Sequence, residues 1–389
     1  MPAVCPVIIV HGIQGSWLKD EYPVDYQDSI LWTGILKRKF QALHLHPDDA
    51  SVDSEPSRLI GPHQAVPLIY ESLVEEIRDE LSDSHPYVYM FSYDWRKDNR
   101  LSAQELSLFV ERVLKIARVH EKARGKPRPS KVTLVGHSMG GLVIKWYATQ
   151  ILDDPARVSR KIDRIITIAT PYKGSLKSVE ALLPGARNLF GVENQKSMRH
   201  AARTLPGVYQ LLPRWPEAVV DRATGLALDI YDETNWQRNI VEGLAERFPR
   251  DGATSYFQSM LRDAERFTRE TSRPWPESLR RKVFTAVGVK TKTWWQVPVD
   301  RGQQNRFNFD DAVFGPDGDD KWGDGTVHSV SAILDEISAT RRIEREDRLK
   351  DRVMGGHHAN LPNHGSVQDW VLNALKLHPH FDHSFKSLE

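Results

Sequence analysis

The residue with the clearest chemical potential is Ser138, which lies in a short glycine-rich stretch. Gly136-His137-Ser138-Met139-Gly140 matches the pattern G-x-S-x-G. A β-branched run ends at Val135, and a helical pattern begins within three residues of the serine. In this strand–turn–helix context the turn is strained and presents the serine hydroxyl at the carboxyl end of a sheet. The sequence therefore predicts a nucleophile at Ser138, the alternative being a glycine-rich turn with an incidental serine.

A nucleophilic serine needs a histidine to accept its proton and a carboxylate to orient that histidine. In the strand–turn–helix class the chain order is serine, acid, histidine. Asp324 follows Ser138 and lies within the glycine-flanked stretch 323–327, GDGTV. Because glycine permits sharp turns, this loop can direct its carboxylate at a histidine. We expect Asp324 to be the acid.

Three histidines precede the last helical pattern of the chain and are candidates for the base. His358 lies nine residues before Val367, the first apolar anchor of that pattern, and this spacing favours it. His357 is the second candidate. His364 is the third, because its position suits the start of a helix.

An ester-cleaving serine also needs donors for the oxyanion that forms on the attacked carbonyl. One donor is the backbone N–H that follows an early strand, and the other is the N–H of the residue after the nucleophile. The run Val7–Gly12, VIIVHG, reads as such a strand ending in His-Gly. We therefore predict that the donors are the N–H groups of Ile13 and Met139.

The elements that must position these residues alternate between strand and helix. The predicted buried strands are Val7–Val10, Tyr87–Tyr93, Val132–Val135, Ile165–Ala169 and Val283–Val289. The predicted helices cover Ile69–Leu81, Leu106–Val119 with a capping box at Ser102 and Glu105, Leu142–Leu152 and Val367–Leu377. Such alternation predicts an α/β fold, with a mostly parallel sheet and helices on both faces.

Two stretches interrupt this alternation. We predict a discontinuous core of residues 1–175 and 282–389, an inserted helical cap at 176–281 and a long insert at 14–67. The cap is rich in aromatic residues, which either contact lipid or pack the core of the cap itself. The charged run Glu336–Arg352 predicts a solvated helix face.

Composition excludes several classes of protein. The 389 residues include 53 Lys and Arg against 52 Asp and Glu, so no basic surplus points to a nucleic-acid partner. The single cysteine, Cys5, excludes an internal disulfide, and no spacing predicts a metal or cofactor site. The acidic cluster Asp317, Asp319 and Asp320 lacks calcium-loop spacing and predicts a solvated loop. With no signal or transmembrane pattern, the expected location is cytoplasmic, with signal-less export of an effector as the alternative.

Several motifs together resemble the lecithin:cholesterol acyltransferase-like branch of the α/β-hydrolase superfamily. YDWR and GDGTV are the most specific of them, whereas GHSMGG is common to the superfamily. The matching pieces are VHGIQGS (10–16), YDWR (93–96), GHSMGG (136–141), TPYKGS (170–175), LPGVYQLLP (205–213), GDGTV (323–327), HAN (358–360) and VLNAL (371–375).

This resemblance implies an α/β-hydrolase fold, a lipid-acyl ester substrate and a triad of Ser138, Asp324 and His358. The family's oxyanion donors fall on Ile13 and Met139. The predicted function is a serine ester hydrolase of the lipase or phospholipase type, which contacts membranes transiently. The alternatives are an acyltransferase, a soluble short-chain esterase or thioesterase, and a catalytically inactive binding protein with the same fold.

Overall fold

The computed structural model describes most of the chain. The described residues are 5–23, 29–33, 39–81, 87–151, 155–183, 195–246, 250–315, 322–334, 339–344 and 356–376. The predicted acidic loop with Asp317, Asp319 and Asp320 lies outside these ranges. No helix in the described ranges is long and apolar enough to cross a bilayer.

Strands and helices alternate along much of the chain. The strands are β1 Val7–Val10, β2 Ser16–Asp20, β3 Ile30–Trp32, β4 Ile60–Ala65, β5 Val88–Phe91, β6 Val132–His137, β7 Ile162–Ile168, β8 Val219–Asp221, β9 Val283–Val289, β10 Val297–Asp300, β11 Arg306–Phe307 and β12 Ala339–Glu344. The helices are α1 Pro67–Leu81, α2 Asn99–Ala123, α3 Met139–Gln150, α4 Pro155–Ser159, α5 Leu176–Leu182, α6 Gln195–Ala202, α7 Pro206–Tyr209, α8 Asn239–Ala245, α9 Arg250–Thr271, α10 Glu277–Arg280, α11 Ser329–Ala332, α12 Gly356–Asn360 and α13 Gly365–Lys376. Short 3₁₀ turns lie at Phe40–Leu43, Pro216–Ala218, Glu233–Asn235 and Leu361–Asn363.

A six-stranded sheet forms the centre of the fold, in the order β12-β9-β7-β6-β1-β5. Every neighbouring pair in it runs parallel. Because parallel strands end at the same edge, the residues that follow β1 and β6 lie side by side there. This sheet confirms the predicted α/β class.

The two faces of the sheet bury different side chains of the same strands. Ile8 and Val10 belong to a core shared with α2 and α3, whereas Val7 and Ile9 point to a core shared with α1 and α13. This two-residue period is what a strand buried on both faces requires. Helices therefore cover both faces, as predicted.

The segment between β1 and α1 carries a small antiparallel sheet of its own, in the order β3-β2-β4. Arg96, which is fully buried, ties this segment to the chain after β5. Its guanidinium forms salt bridges of 2.7 Å with Asp94 and 2.8 Å with Asp53, and it donates to the carbonyl of Leu43. The arginine of the YDWR motif is thus a structural clamp, because removing one partner of a buried ion pair leaves an uncompensated charge.

The aromatic side chains between β7 and β9 pack against one another. Trp236 meets Phe257 edge to face at 5.7 Å, Tyr209 lies 6.1 Å from Phe257, and all three are buried. Of the two roles left open for these rings, the structure favours packing. The region also contains β8, which pairs in parallel with β10, so the prediction of helices alone was incomplete there.

Two local predictions were wrong. The charged run after residue 336 contributes strand β12, which pairs with β9 and buries Ile343. Backbone pairing with β9 at the edge of the sheet outweighs the charge pattern that favoured a helix there. The predicted capping box at Ser102 lies inside α2, because the helix begins a turn earlier and Asp98 caps it by accepting from the N–H of Arg100 at 2.7 Å.

Candidate active site

Ser138 occupies a sharp turn between β6 and α3. Its φ of 53° and ψ of −127° are rare for a residue with a side chain. Strain of this kind costs about 1–3 kcal/mol and persists where the surrounding structure enforces it. Here close packing enforces it, because a Cβ on Gly140 would lie 2.3 Å from the carbonyl oxygen of Val10. The glycine of the pattern is therefore needed for the turn to touch β1.

The structure brings Ser138, His358 and Asp324 into one hydrogen-bonded row. The Nε2 atom of His358 lies 2.9 Å from the Ser138 hydroxyl oxygen. Its Nδ1 atom lies 2.7 Å from Oδ2 of Asp324. All three side chains are buried. In this row Nδ1–H donates to the carboxylate, so Nε2 is free to accept the serine proton.

The carboxylate of Asp324 is held in its ionised form. Burial alone would raise its pKa, but the neighbouring His358 and the N–H groups of Val327 and Thr326 lower the pKa below its usual range. Those two N–H groups donate to Oδ1 at 2.8 and 3.0 Å. One oxygen of Asp324 is thus fixed by its own loop, and the other faces the histidine.

The other two candidate bases lie elsewhere. The rings of His357 and His364 pack against each other with centroids 6.0 Å apart. His364 also pairs with the hydroxyl of Ser366 at 2.8 Å, at the start of α13. Of the three histidines, the structure places His358 against Ser138.

The two predicted oxyanion donors lie on either side of the serine. Met139 is the first residue of α3, where N–H groups have no acceptor within the helix and the helix dipole favours negative charge. Ile13 lies in a turn after β1, closed by the N–H of Gly15 donating to Gly12 at 3.0 Å. A Cβ on Gly12 would lie 2.8 Å from that of Ser138, so this turn touches the serine.

A cavity of about 1260 Å³, counting its open mouth, adjoins Ser138 and His358. Most of its wall is apolar, and its aromatic side chains come from the segment before α1 and from Tyr70 on α1. The apolar lining includes Trp32, Phe40, Ile69, Met198, Val208 and Leu211. Within the described ranges no group of three His, Cys, Asp or Glu side chains converges as metal ligands would. The space fits an acyl chain whose carbonyl lies at Ser138.

Three charged side chains on α5 and α6 also line the cavity, and we call them the cap rim: Lys177, Glu180 and Arg199. Lys177 pairs with Glu180 at 3.0 Å and lies 3.9 Å from the ring centroid of Trp294. Arg199 forms no ion pair with any residue that the structure describes, and burial lowers its pKa. Counting only residues that the structure describes, the cap rim therefore has a net charge of +1.

Sequence reasoning missed Arg199, and it also missed Tyr70 and His137, which bond to each other beside Ser138. Tyr70 belongs to the apolar stripe of α1, and His137 lies inside the nucleophile motif. Their positions were visible in the sequence, but their contact depends on packing between distant elements. For Arg199 no sequence signal was available, since lone arginines on helices are common.

The fold and the row of contacts together define an α/β-hydrolase. A sequence model of the lecithin:cholesterol acyltransferase family matches residues 64–296, which is more than half of the chain. The chain belongs to that family. The matched range includes Ser138 and the YDWR motif but neither Asp324 nor His358.

Two curated relatives come from Arabidopsis thaliana. Phospholipase A(1) LCAT3 is 26% identical over 131 residues, which are 32% of this chain and 27% of that protein. Lecithin-cholesterol acyltransferase-like 4 is 27% identical over 247 residues, which are 54% of this chain and 43% of that protein. The matches thus span less than half the length of either relative.

A solved structure of low sequence identity has a similar fold. A chain of the Tle4–Tli4 complex superposes with a TM-score of 0.69 at 15% identity, and the match covers 96% of this chain and 98% of that one. At this identity the likeness concerns the fold alone.

Proposed function

We propose that the protein is a serine ester hydrolase that acts on acyl lipids. The observation that carries the proposal is the row from Ser138 through His358 to Asp324 beside an apolar cavity. Ser138 attacks the acyl carbonyl while His358 accepts its proton, and Asp324 holds the imidazole in the required tautomer. The N–H groups of Ile13 and Met139 stabilise the oxyanion, and water then releases the acyl group from the serine.

The cavity and its rim favour a phospholipid over a neutral ester. The apolar wall suits an acyl chain. The guanidinium of Arg199, which has no ion-pair partner among the described residues, suits a phosphate, with which it can form charge-assisted hydrogen bonds. The name of the relative Phospholipase A(1) LCAT3 agrees with this substrate class. Cytoplasmic location and transient membrane contact stay predictions from the sequence.

Acyl transfer is the second candidate, and the name of the acyltransferase-like relative favours it. It uses the same acyl-enzyme but transfers the acyl group to an alcohol instead of water. Adding a long-chain alcohol or a sterol to the reaction distinguishes the two, since a transferase forms a new ester.

The first test is hydrolysis of p-nitrophenyl esters of increasing chain length, with Ser138→Ala as the blank. We expect activity to rise with chain length, because the cavity wall is apolar, and kcat to fall at least about a thousandfold in Ser138→Ala. Ser259→Ala, at an exposed serine of α9, is the matched control and keeps full activity. Activity confined to short chains overturns the lipid proposal, and activity that survives in Ser138→Ala overturns the site.

A further inference from the structure

A buried chain of hydrogen bonds runs behind the serine and joins three separate parts of the site. The N–H of Gly12 donates to the Tyr70 hydroxyl at 2.9 Å. That hydroxyl lies 2.9 Å from Nδ1 of His137, and Nε2 of His137 lies 3.1 Å from the carbonyl oxygen of His358. Tyr70 and His137 are buried. The chain thus begins at the oxyanion turn and ends at the backbone of the histidine that contacts Ser138.

Only one arrangement of protons satisfies every donor and acceptor in this chain of hydrogen bonds. A carbonyl oxygen only accepts, so Nε2–H of His137 donates to His358. Burial lowers the pKa of His137 to about 3, so the ring is neutral and its Nδ1 accepts. The Tyr70 hydroxyl must then donate to His137, and its oxygen accepts from Gly12. Each group has one role, and none can be reversed without leaving a buried donor or acceptor unpaired.

This chain fixes the relative positions of the groups that the reaction needs. Gly12 directly precedes Ile13, the first oxyanion donor, and His137 directly precedes Ser138. The turn that contains Ile13 is also held at its far side, where the N–H of Val66 donates to the carbonyl of Gly15 at 2.9 Å. Val66 comes just before α1, the helix that carries Tyr70. The helix therefore holds the oxyanion turn at both ends.

We propose that Tyr70 and His137 are positioning residues for the hydrolysis, which hold the oxyanion turn and His358 in register with Ser138. The proposal rests on the proposed function. Neither residue accepts the serine proton, and neither needs to touch the reacting carbonyl. Displacing a reacting group by about 1 Å can cost about a hundredfold in rate. Both residues also line the cavity, but Tyr70→Phe keeps the ring in place there. Loss of these hydrogen bonds should therefore lower kcat and leave KM nearly unchanged.

The test is Tyr70→Phe, which removes one hydroxyl and keeps the ring, assayed on the p-nitrophenyl ester that the wild type hydrolyses best. We expect kcat to fall about 10- to 100-fold, with KM within twofold of the wild type. The matched control is Tyr209→Phe, because that buried hydroxyl also makes a hydrogen bond, to the carbonyl of Arg203 at 3.0 Å, away from the site. It should lose a similar amount of thermal stability and keep its kcat.

A second pair of variants tests the other link of the chain. Gln at position 137 can keep a donor for the His358 carbonyl, whereas Leu cannot. We expect His137→Gln to retain at least tenfold more kcat than His137→Leu at equal KM. This pair also keeps the proposal testable if Tyr70→Phe does not fold.

The outcomes separate the two proposals. An inactive wild type, or activity that does not depend on Ser138, overturns the proposed function. A Ser138-dependent wild type with an unchanged kcat in Tyr70→Phe, or equal kcat in the two His137 variants, overturns the positioning role. A fall in kcat equal to that of Tyr209→Phe also overturns it, because the loss then reflects general stability.

Discussion

The reaction centre around Ser138 and the cap rim differ in how their polar groups are paired. His358 uses both ring nitrogens in contacts of 2.7 and 2.9 Å, and both oxygens of Asp324 are engaged. On the cap rim, Arg199 has no ion-pair partner among the described residues. Among the described residues, the fold thus pairs the groups around Ser138 completely and provides no counter-charge for Arg199 in the cavity wall. Preorganisation of this kind lowers the barrier, whereas an unpaired cation contributes selectivity.

The largest expected effect comes from breaking the pairing in the reaction centre. In Asp324→Asn the amide can present an N–H group to Nδ1 of His358, which forces the wrong tautomer on the imidazole. We expect kcat on the best p-nitrophenyl ester to fall about 10⁴-fold with little change in KM. Asp311→Asn, at an exposed carboxylate, is the control and should be active. A loss below tenfold would show that Asp324 does not orient the base.

The second prediction concerns the acid stability of the same region. Burial lowers the pKa of His11 from 6.5 to about 4 and that of His137 from 6.5 to about 3. Below pH 6.5 the unfolded chain therefore binds protons that the folded chain does not. The free energy of unfolding should fall with pH by about 1.4 kcal/mol per unit for each histidine, until pH reaches that histidine's folded pKa.

Urea unfolding at pH 7.5 and pH 5.5 measures this effect. His11→Asn, which keeps a donor for the carbonyl of Gly12, should lose stability less steeply than the wild type as pH falls. Ser259→Ala, at the exposed serine of α9, is the control for substitution itself and should match the wild-type dependence. Identical dependence in the wild type and His11→Asn would mean that folding does not lower the pKa of His11.

The difference between the two regions also explains which parts were predictable from the sequence. Val7–Val10 and Val283–Val289 have the predicted bounds, because a strand buried on both faces must be apolar throughout. The G-x-S-x-G motif and GDGTV were visible because tight turns restrict residue type over a few neighbours. The structure brings Ser138, Asp324 and His358 together as the motifs indicated, and their catalytic roles stay a proposal.

The remaining features depend on contacts that no local pattern records. In the sequence, Tyr70 looks like one more apolar residue of a helix. Its proposed positioning role can be recognised only in the fold, where α1 packs beside the turn after β1. Strand β12 was misread because charged residues on an edge strand resemble a solvated helix face. Arg199 is one basic residue on a short helix, and it stands out only because no described residue supplies a counter-charge. Recognition of the substrate was therefore the least predictable property.

The smallest effect is expected for a substitution of Arg199 on the cap rim. In Arg199→Gln the wall keeps a polar side chain at this position but loses the charge that would meet a phosphate. We expect KM for a diacyl phospholipid in mixed micelles to rise about tenfold, which corresponds to about 1.4 kcal/mol, close to the lower end of the range for a hydrogen bond to a charged group. KM for a neutral diacylglycerol and for p-nitrophenyl esters should not change. Arg269→Gln, at an exposed arginine of α9, is the control for loss of charge alone. An equal rise for phospholipid and diacylglycerol would mean that Arg199 acts through packing, and the cap rim would then be no more selective than the apolar wall beside it.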